Sequence, residues 1–239
     1  MIKKILSTFL VSSAFLIFAA TGSMADRPTF AVGYTAAYGG YEASGHENEG
    51  KANHEEKNTA SEAAEIGYSS LFVEVSFADR VTVGASWMID AVATAMSERT
   101  DSLCTNVGGA HDPNKCPLKG NTGTSSVKAE FENLVTGYVE LNIWNGLYAK
   151  YGVMEMDVNT KESLHTDSAY PNASMDGETW GFGWKGSFDN GVFIKTETMM
   201  QNWSQLRIEA VGATDTDNNT SVVADLTGAV ATLSIGKAF

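Results

Sequence analysis

After the first 25 residues, apolar and polar positions alternate with a period of two, the pattern of strands with one greasy and one polar face. Between Thr29 and Tyr41, Phe30, Val32, Tyr34, Ala36 and Tyr38 share one side, while Ala31, Gly33, Thr35 and Ala37 share the other. A second segment, Ile66 to Ala78, sets Leu71, Val73, Val75 and Phe77 against Ser70, Phe72, Glu74 and Ser76. A third opposes Val81, Val83, Ala85, Trp87 and Ile89 to Thr82, Gly84, Ser86, Met88 and Asp90. A fourth opposes Val135, Val139, Leu141 and Ile143 to Thr136, Tyr138, Glu140 and Asn142. The fifth sets Leu147, Ala149, Tyr151 and Val153 against Tyr148, Lys150, Gly152 and Met154. In the sixth, Trp180, Phe182, Trp184 and Phe188 oppose Gly181, Gly183, Lys185 and Ser187. The seventh begins with Val192 and Ile194 opposite Phe193, Lys195 and Glu197, then loses clean alternation near Met199 to Trp203. Val222 to Phe239 forms the last.

The connections come in two kinds. Asp79-Arg80, Asn145-Gly146 and Asp189-Asn190-Gly191 are tight turns, and Asn-Gly is a strong type I′ hairpin signal. Polar stretches of Glu42 to about Glu65, Ser97 to Ser125, Asn159 to Gly177 and Gly212 to Asn219 read as long loops. Long and short connections therefore alternate, as in transmembrane barrels with short inner turns and long external loops. The expected fold is all-β: a closed antiparallel transmembrane β-barrel of eight strands. Ten strands stay open if the Ser97–Ser125 stretch hides a hairpin.

Period two does not say which face meets lipid. The polar face is also the small face, with Gly33, Gly84, Gly152, Gly181, Gly183 and Gly236, and an eight-stranded barrel leaves little room inside. That face carries both signs of charge: Glu74, Asp90, Glu140 and Glu197 against Lys150, Lys185 and Lys195. Such residues can pair across a narrow lumen, whereas a Lys or Arg facing lipid at mid-depth costs ~2–4 kcal/mol. Trp87, Trp144, Trp180, Trp184, Tyr34, Tyr38 and Tyr151 crowd the apolar face and strand ends, as interfacial girdles do.

The ends of the chain add to this picture. Lys3 and Lys4, the apolar run Ile5 to Ala20 and Ser23-Met24-Ala25 read as a signal peptide over residues 1–25, leaving a barrel over 26–239. Its removal takes two lysines and no acid, moving the formal charge from −13 to −15. So acidic a chain repels nucleic acid, which is excluded as a partner, and favours divalent cations at its acidic loops. Cys104 and Cys116 share one polar segment, and in an exported chain that spacing reads as a disulfide stiffening a loop.

The last strand, Thr232-Leu233-Ser234-Ile235-Gly236-Lys237-Ala238-Phe239, resembles the C-terminal signal of bacterial outer-membrane barrels, a terminal aromatic preceded by alternating apolar residues. Leu233, Ile235 and Phe239 match it and Lys237 departs from it. The whole stretch 26–239 is similar to small barrels of the OmpA/OmpX/OmpW and opacity surface-antigen type. The resemblance implies residence in the outer membrane, contact with its lipid and lipopolysaccharide, recognition of Leu233, Ile235 and Phe239 by the barrel-assembly machinery, and a structural or surface-interaction role, sometimes as a narrow channel.

Chemistry has weak claims. His46, His54, His111 and His165 all fall in the expected loops, and none is followed two residues later by Ser, as barrel lipid A deacylases would require. His46-Glu47-Asn48-Glu49 and His54-Glu55-Glu56 could hold a divalent ion but read as a solvated acidic loop. Asp215-Thr216-Asp217 starts like a calcium loop, without its glycine at the sixth place or its glutamate at the twelfth. No catalytic residue, metal ligand or cofactor is assigned. The expected function is a non-enzymatic surface barrel; a narrow porin-like channel and a lipid A-modifying enzyme are its rivals.

Overall fold

The computed structural model describes residues 28–51, 54–78, 80–102, 122–163, 169–211 and 221–239. The expected signal peptide, the Cys104–Cys116 pair, His111, His165 and the Asp215 run lie outside the described residues.

Eleven strands follow in chain order: β1 (Thr29–Lys51), β2 (His54–Phe77), β3 (Val81–Met88), β4 (Val92–Ala93), β5 (Ser97–Ser102), β6 (Thr122–Trp144), β7 (Leu147–Ser163), β8 (Ala173–Ser187), β9 (Val192–Trp203), β10 (Leu206–Glu209) and β11 (Ser221–Ala238). Eight of them, β1, β2, β3, β6, β7, β8, β9 and β11, pair antiparallel in that order, and a ladder between β1 and β11 joins the ends into a ring. β4 and β5 continue the line of β3 along β6, and β10 continues β9 along β11, so they are pieces of interrupted strands.

Asn145 and Gly146 adopt φ of 47° and 81°, the left-handed values that a type I′ hairpin demands. Gly191, at 81°, makes the β8–β9 turn. These turns and the β2–β3 turn share one end of the ring with the start of β1 and with Phe239, whose N–H donates to the Phe30 carbonyl at 2.8 Å.

Two stretches differ from the sequence reading. Glu42 to Glu65 is mostly ladder: β1 and β2 stay paired from Thr29–Ser76 up to Lys51–His54. The periodic signal fades there because few large apolar residues stand on either face, while backbone hydrogen bonds need no side-chain pattern. Likewise β7 runs to Ser163, β8 starts at Ala173, and β5 and the start of β6 occupy part of Ser97–Ser125. Near Met199 to Trp203 the alternation of side chains persists, with Met199, Gln201 and Trp203 buried; only the residue types change, because Met and Trp point inward there.

That change marks an inversion along the barrel. Near the tight turns the outward face is apolar: Phe30, Val32, Leu71, Val73, Leu141, Leu147, Phe182, Trp184, Leu233 and Ile235 are exposed around the ring. Further along β7 the outward series changes from Leu147, Ala149, Tyr151 and Val153 to Glu155, Asp157 and Asn159, while inward Lys150 gives way to buried Met154, Met156 and Val158. β6 makes the same change through a β-bulge between Glu132 and Val135, with Asn133 at φ 56°. The extra residue lets Phe131 and Ala129 turn into the apolar interior while Glu132, the Cα partner of Asp157, turns out. A greasy belt encircling a closed sheet, rimmed by Tyr38, Tyr151 and Trp180 on one side and Trp144, Trp184 and Phe188 on the other, is the surface of a barrel seated in a bilayer.

Candidate functional site

The lumen concentrates the barrel's buried chemistry in stacked layers. Nearest the tight turns, Phe72 and Phe193 meet with ring centroids 6.2 Å apart. Gly33 and Gly236 make room for those rings, since a Cβ on either would lie 2.3 Å from one of them.

Above them sits a charged cluster drawn from four strands. Lys195 on β9 is 2% exposed, and its Nζ donates to Glu74 Oε1 at 2.6 Å and Glu140 Oε1 at 2.5 Å. Lys150 on β7 donates to both oxygens of Glu197, at 2.9 and 3.1 Å, and lies 3.6 Å from Glu140. Two tyrosines complete the set: Tyr138 donates to Glu74 at 2.8 Å and Tyr148 to Glu197 at 2.7 Å. Lys150 Nζ also lies 3.8 Å from the Tyr138 ring centroid, a cation–π contact. The register explains how such side chains fit. Tyr138 is the Cα partner of Gly84 and Tyr148 of Gly183, so each ring lies over a residue with no side chain.

The structure brings together five of the seven charged residues that parity grouped: Glu74, Glu140, Lys150, Lys195 and Glu197. The other two stand apart. Asp90 lies past the end of β3, is exposed, and accepts the Ser69 N–H at 3.1 Å, because the strand stops at Met88 and its parity stops with it. Lys185 is the Cα partner of Lys195; like charges side by side repel, and Lys185 Nζ lies over the Phe193 ring, 4.2 Å from its centroid.

Beyond the charges, seven buried residues form an apolar layer: Met88, Leu134, Met154, Met156, Val158, Met175 and Trp203. Beside it Tyr41 donates to Gln201 at 2.9 Å. Parity sets Met88, Tyr138, Tyr148 and Met154 on this inward face, while the rest of the layer escapes a reading based on polarity, because the inward face is there expected to be polar and small. The pairing of each tyrosine with a glycine was the available signal that such large rings fit there.

The β11 positions Leu233 and Ile235 point outward into the belt, and Phe239 is exposed at its edge. Glu47, at the far end of β1, accepts a hydrogen bond from the Tyr170 hydroxyl at 2.9 Å, which ties the segment before β8 to β1. Among the described residues, no group of three His, Cys, Asp or Glu side chains is arranged to hold a metal ion.

No protein-family model and no curated protein matches the sequence. Among solved structures, the chain is similar to the outer membrane protein OprG from Pseudomonas aeruginosa, with a TM-score of 0.51 and 11% identity over 88% of this chain and 95% of that one. It also matches the outer membrane protease OmpT from Escherichia coli, at TM-score 0.44 and 8% identity over 87% and 97% of the two chains. Neisserial surface protein A matches at TM-score 0.31 and 10% identity over 86% and 98%. At such identities the likeness is one of fold.

Proposed function

The chain is, by fold, a small bacterial outer-membrane β-barrel, and from that premise we propose that it is a non-enzymatic surface protein whose lumen is closed and whose work is done by its outward acidic end. The observation that carries this reading is the packing of the lumen. Lys195 bridges Glu74 and Glu140 across the tube, and the apolar layer around Trp203 and Met154 stands beyond them. A solute would have to break two buried ion pairs and displace that layer. The lumen's carboxylates and lysines also pair with one another, which leaves them poorly placed to serve as acid, base or nucleophile.

Three partners follow as part of the same reading. Membrane lipid and lipopolysaccharide would contact the belt and its aromatic rims. The barrel-assembly machinery would read Leu233, Ile235 and Phe239. Divalent cations would be drawn to the acidic outward positions, such as Glu155, Asp157, Asp176 and Glu178.

Planar-bilayer recording of the purified protein tests the closed lumen. A flat baseline is expected; stable single-channel steps would favour the rival reading of a narrow channel, which draws its support from a cavity inside the lumen. Overexpression should leave the mass spectrum of lipid A unaltered, and a new lipid A species would speak for an enzyme.

A further inference from the structure

Between the charged cluster and the apolar layer lies a cavity of about 60 Å³. Hydroxyl groups ring it, from Ser70 on β2, Ser86 on β3, Thr136 on β6, Thr179 on β8 and Thr232 on β11. Lys150, Lys195 and Glu197 line it on the charged side, and Met88, Leu134 and Met199 on the apolar side. Three of the lining hydroxyls have partners in the protein. Thr35 and Ser234 hydrogen-bond each other at 2.8 Å, and Thr232 donates to Glu197 at 3.1 Å. Thr179 is different: the residue is 3% exposed, lines the cavity, and its Oγ1 has no hydrogen-bond partner in the protein.

We propose that this chamber binds a small cluster of internal water, anchored on the Thr179 hydroxyl and joining the hydroxyl ring to Lys150 and Glu197. Three observations converge on it. The space holds at least two waters at ~30 Å³ each. Its wall offers many donors and acceptors, whereas the cavities that stay dry are apolar. The adjoining cluster sets three carboxylates against two ammoniums, and hydration offsets part of the penalty of burying charges that do not cancel. Water is favoured over an ion because the lining carries both signs: Lys150 and Lys195 repel a cation, and Glu197 repels an anion.

The test is solution NMR of the full chain in detergent micelles, with Met and Thr methyl groups labelled and water as the probe. Met88 and Met199 line the chamber and their ε-methyls exchange no protons, so cross-relaxation to them reports resident water. Cross-peaks to both methyls are expected in the native sequence, retained in Thr179→Ser and reduced severalfold in Thr179→Val. Their absence from the native protein would overturn the proposal without needing any variant. Equal cross-peaks in Thr179→Ser and Thr179→Val would overturn the assignment of Thr179 as the anchor.

Discussion

Lys195 on β9 and Glu74 on β2 are 121 residues apart in sequence and 2.6 Å apart across the lumen. Three strand spacings separate them around the ring one way and five the other. Such a pair gains little over a well-packed apolar core, because burying both charges costs nearly what their attraction returns. Removing one partner is another matter. Lys195→Met should destabilise the barrel by about 3–5 kcal/mol, since it leaves Glu74 and Glu140 buried beside each other without their ammonium. Urea unfolding in detergent measures this; a change below about 1 kcal/mol would mean the cluster is already solvated.

The glycines opposite Tyr138 and Tyr148 give a second prediction. A Cβ on Gly84 would lie 2.5 Å from the Tyr138 ring, and one on Gly183 would lie 2.4 Å from Tyr148. Tyr138 is 2% exposed and has nowhere to retreat. Gly84→Ala should therefore cost about 1–3 kcal/mol by overpacking and pull the tyrosine hydroxyl from Glu74. Gly40→Ala, where a Cβ would meet nothing within 4 Å, is the control, expected to shift stability by less than about 0.5 kcal/mol. The comparison is read from the midpoint of heat-modifiable gel migration.

Asn133 tests the inversion along β6. At φ 56° it occupies a conformation that glycine tolerates and β-branched residues resist. Asn133→Gly should be nearly neutral, while Asn133→Val should cost on the order of 1–3 kcal/mol of backbone strain. Deleting Asn133 removes the extra residue. Glu132 and Val135 would then stand two steps apart, like their partners Asp157 and Glu155, so the ladder becomes regular with Phe131 still inward and Glu132 still outward, and folded yield should be retained.

How far the sequence reveals this structure depends on where a residue lies along the barrel. Within the belt, lipid outside and a tight lumen inside impose opposite demands on neighbouring positions. The alternation of Phe30, Val32 and Tyr34 with Ala31, Gly33 and Thr35 is accordingly plain. Beyond the belt both rules lapse. The β1–β2 ladder between Glu42 and Glu65 has no apolar period to show, and its strands look like a loop. Around Trp203 the inside becomes the apolar side, so a correct alternation looks like a broken one. Parity also fails where the ladder is interrupted: it does not foresee the bulge at Asn133, and it carries Asp90 into a lumen that β3 has already left. Apart from Lys150 and Glu140, Cα partners on β7 and β6, the lumen's hydrogen-bonded charges join residues on non-adjacent strands, and a single sequence gives parity but not which charge faces which across a tube.

The belt makes a prediction of its own. Val73→Arg would place a guanidinium among acyl chains and should cost ~2–4 kcal/mol if the site is near mid-depth. Ser61→Arg, on the same outward face of β2 but beyond the belt and exposed, should change stability by less than about 0.5 kcal/mol. Equal costs at the two sites, by unfolding into urea from lipid vesicles, would remove the distinction between belt and outer wall.

The most direct measurement uses two of the protein's own five tryptophans. Trp184 is half exposed in the belt, while Trp203 is buried in the lumen's apolar layer. With the other four replaced by Phe, each single-tryptophan protein can be reconstituted in bilayers of brominated lipid and its fluorescence followed. Strong quenching of Trp184 with little change at Trp203 is the predicted result. Quenching of Trp203 with Trp184 shielded would turn the barrel inside out and contradict the account.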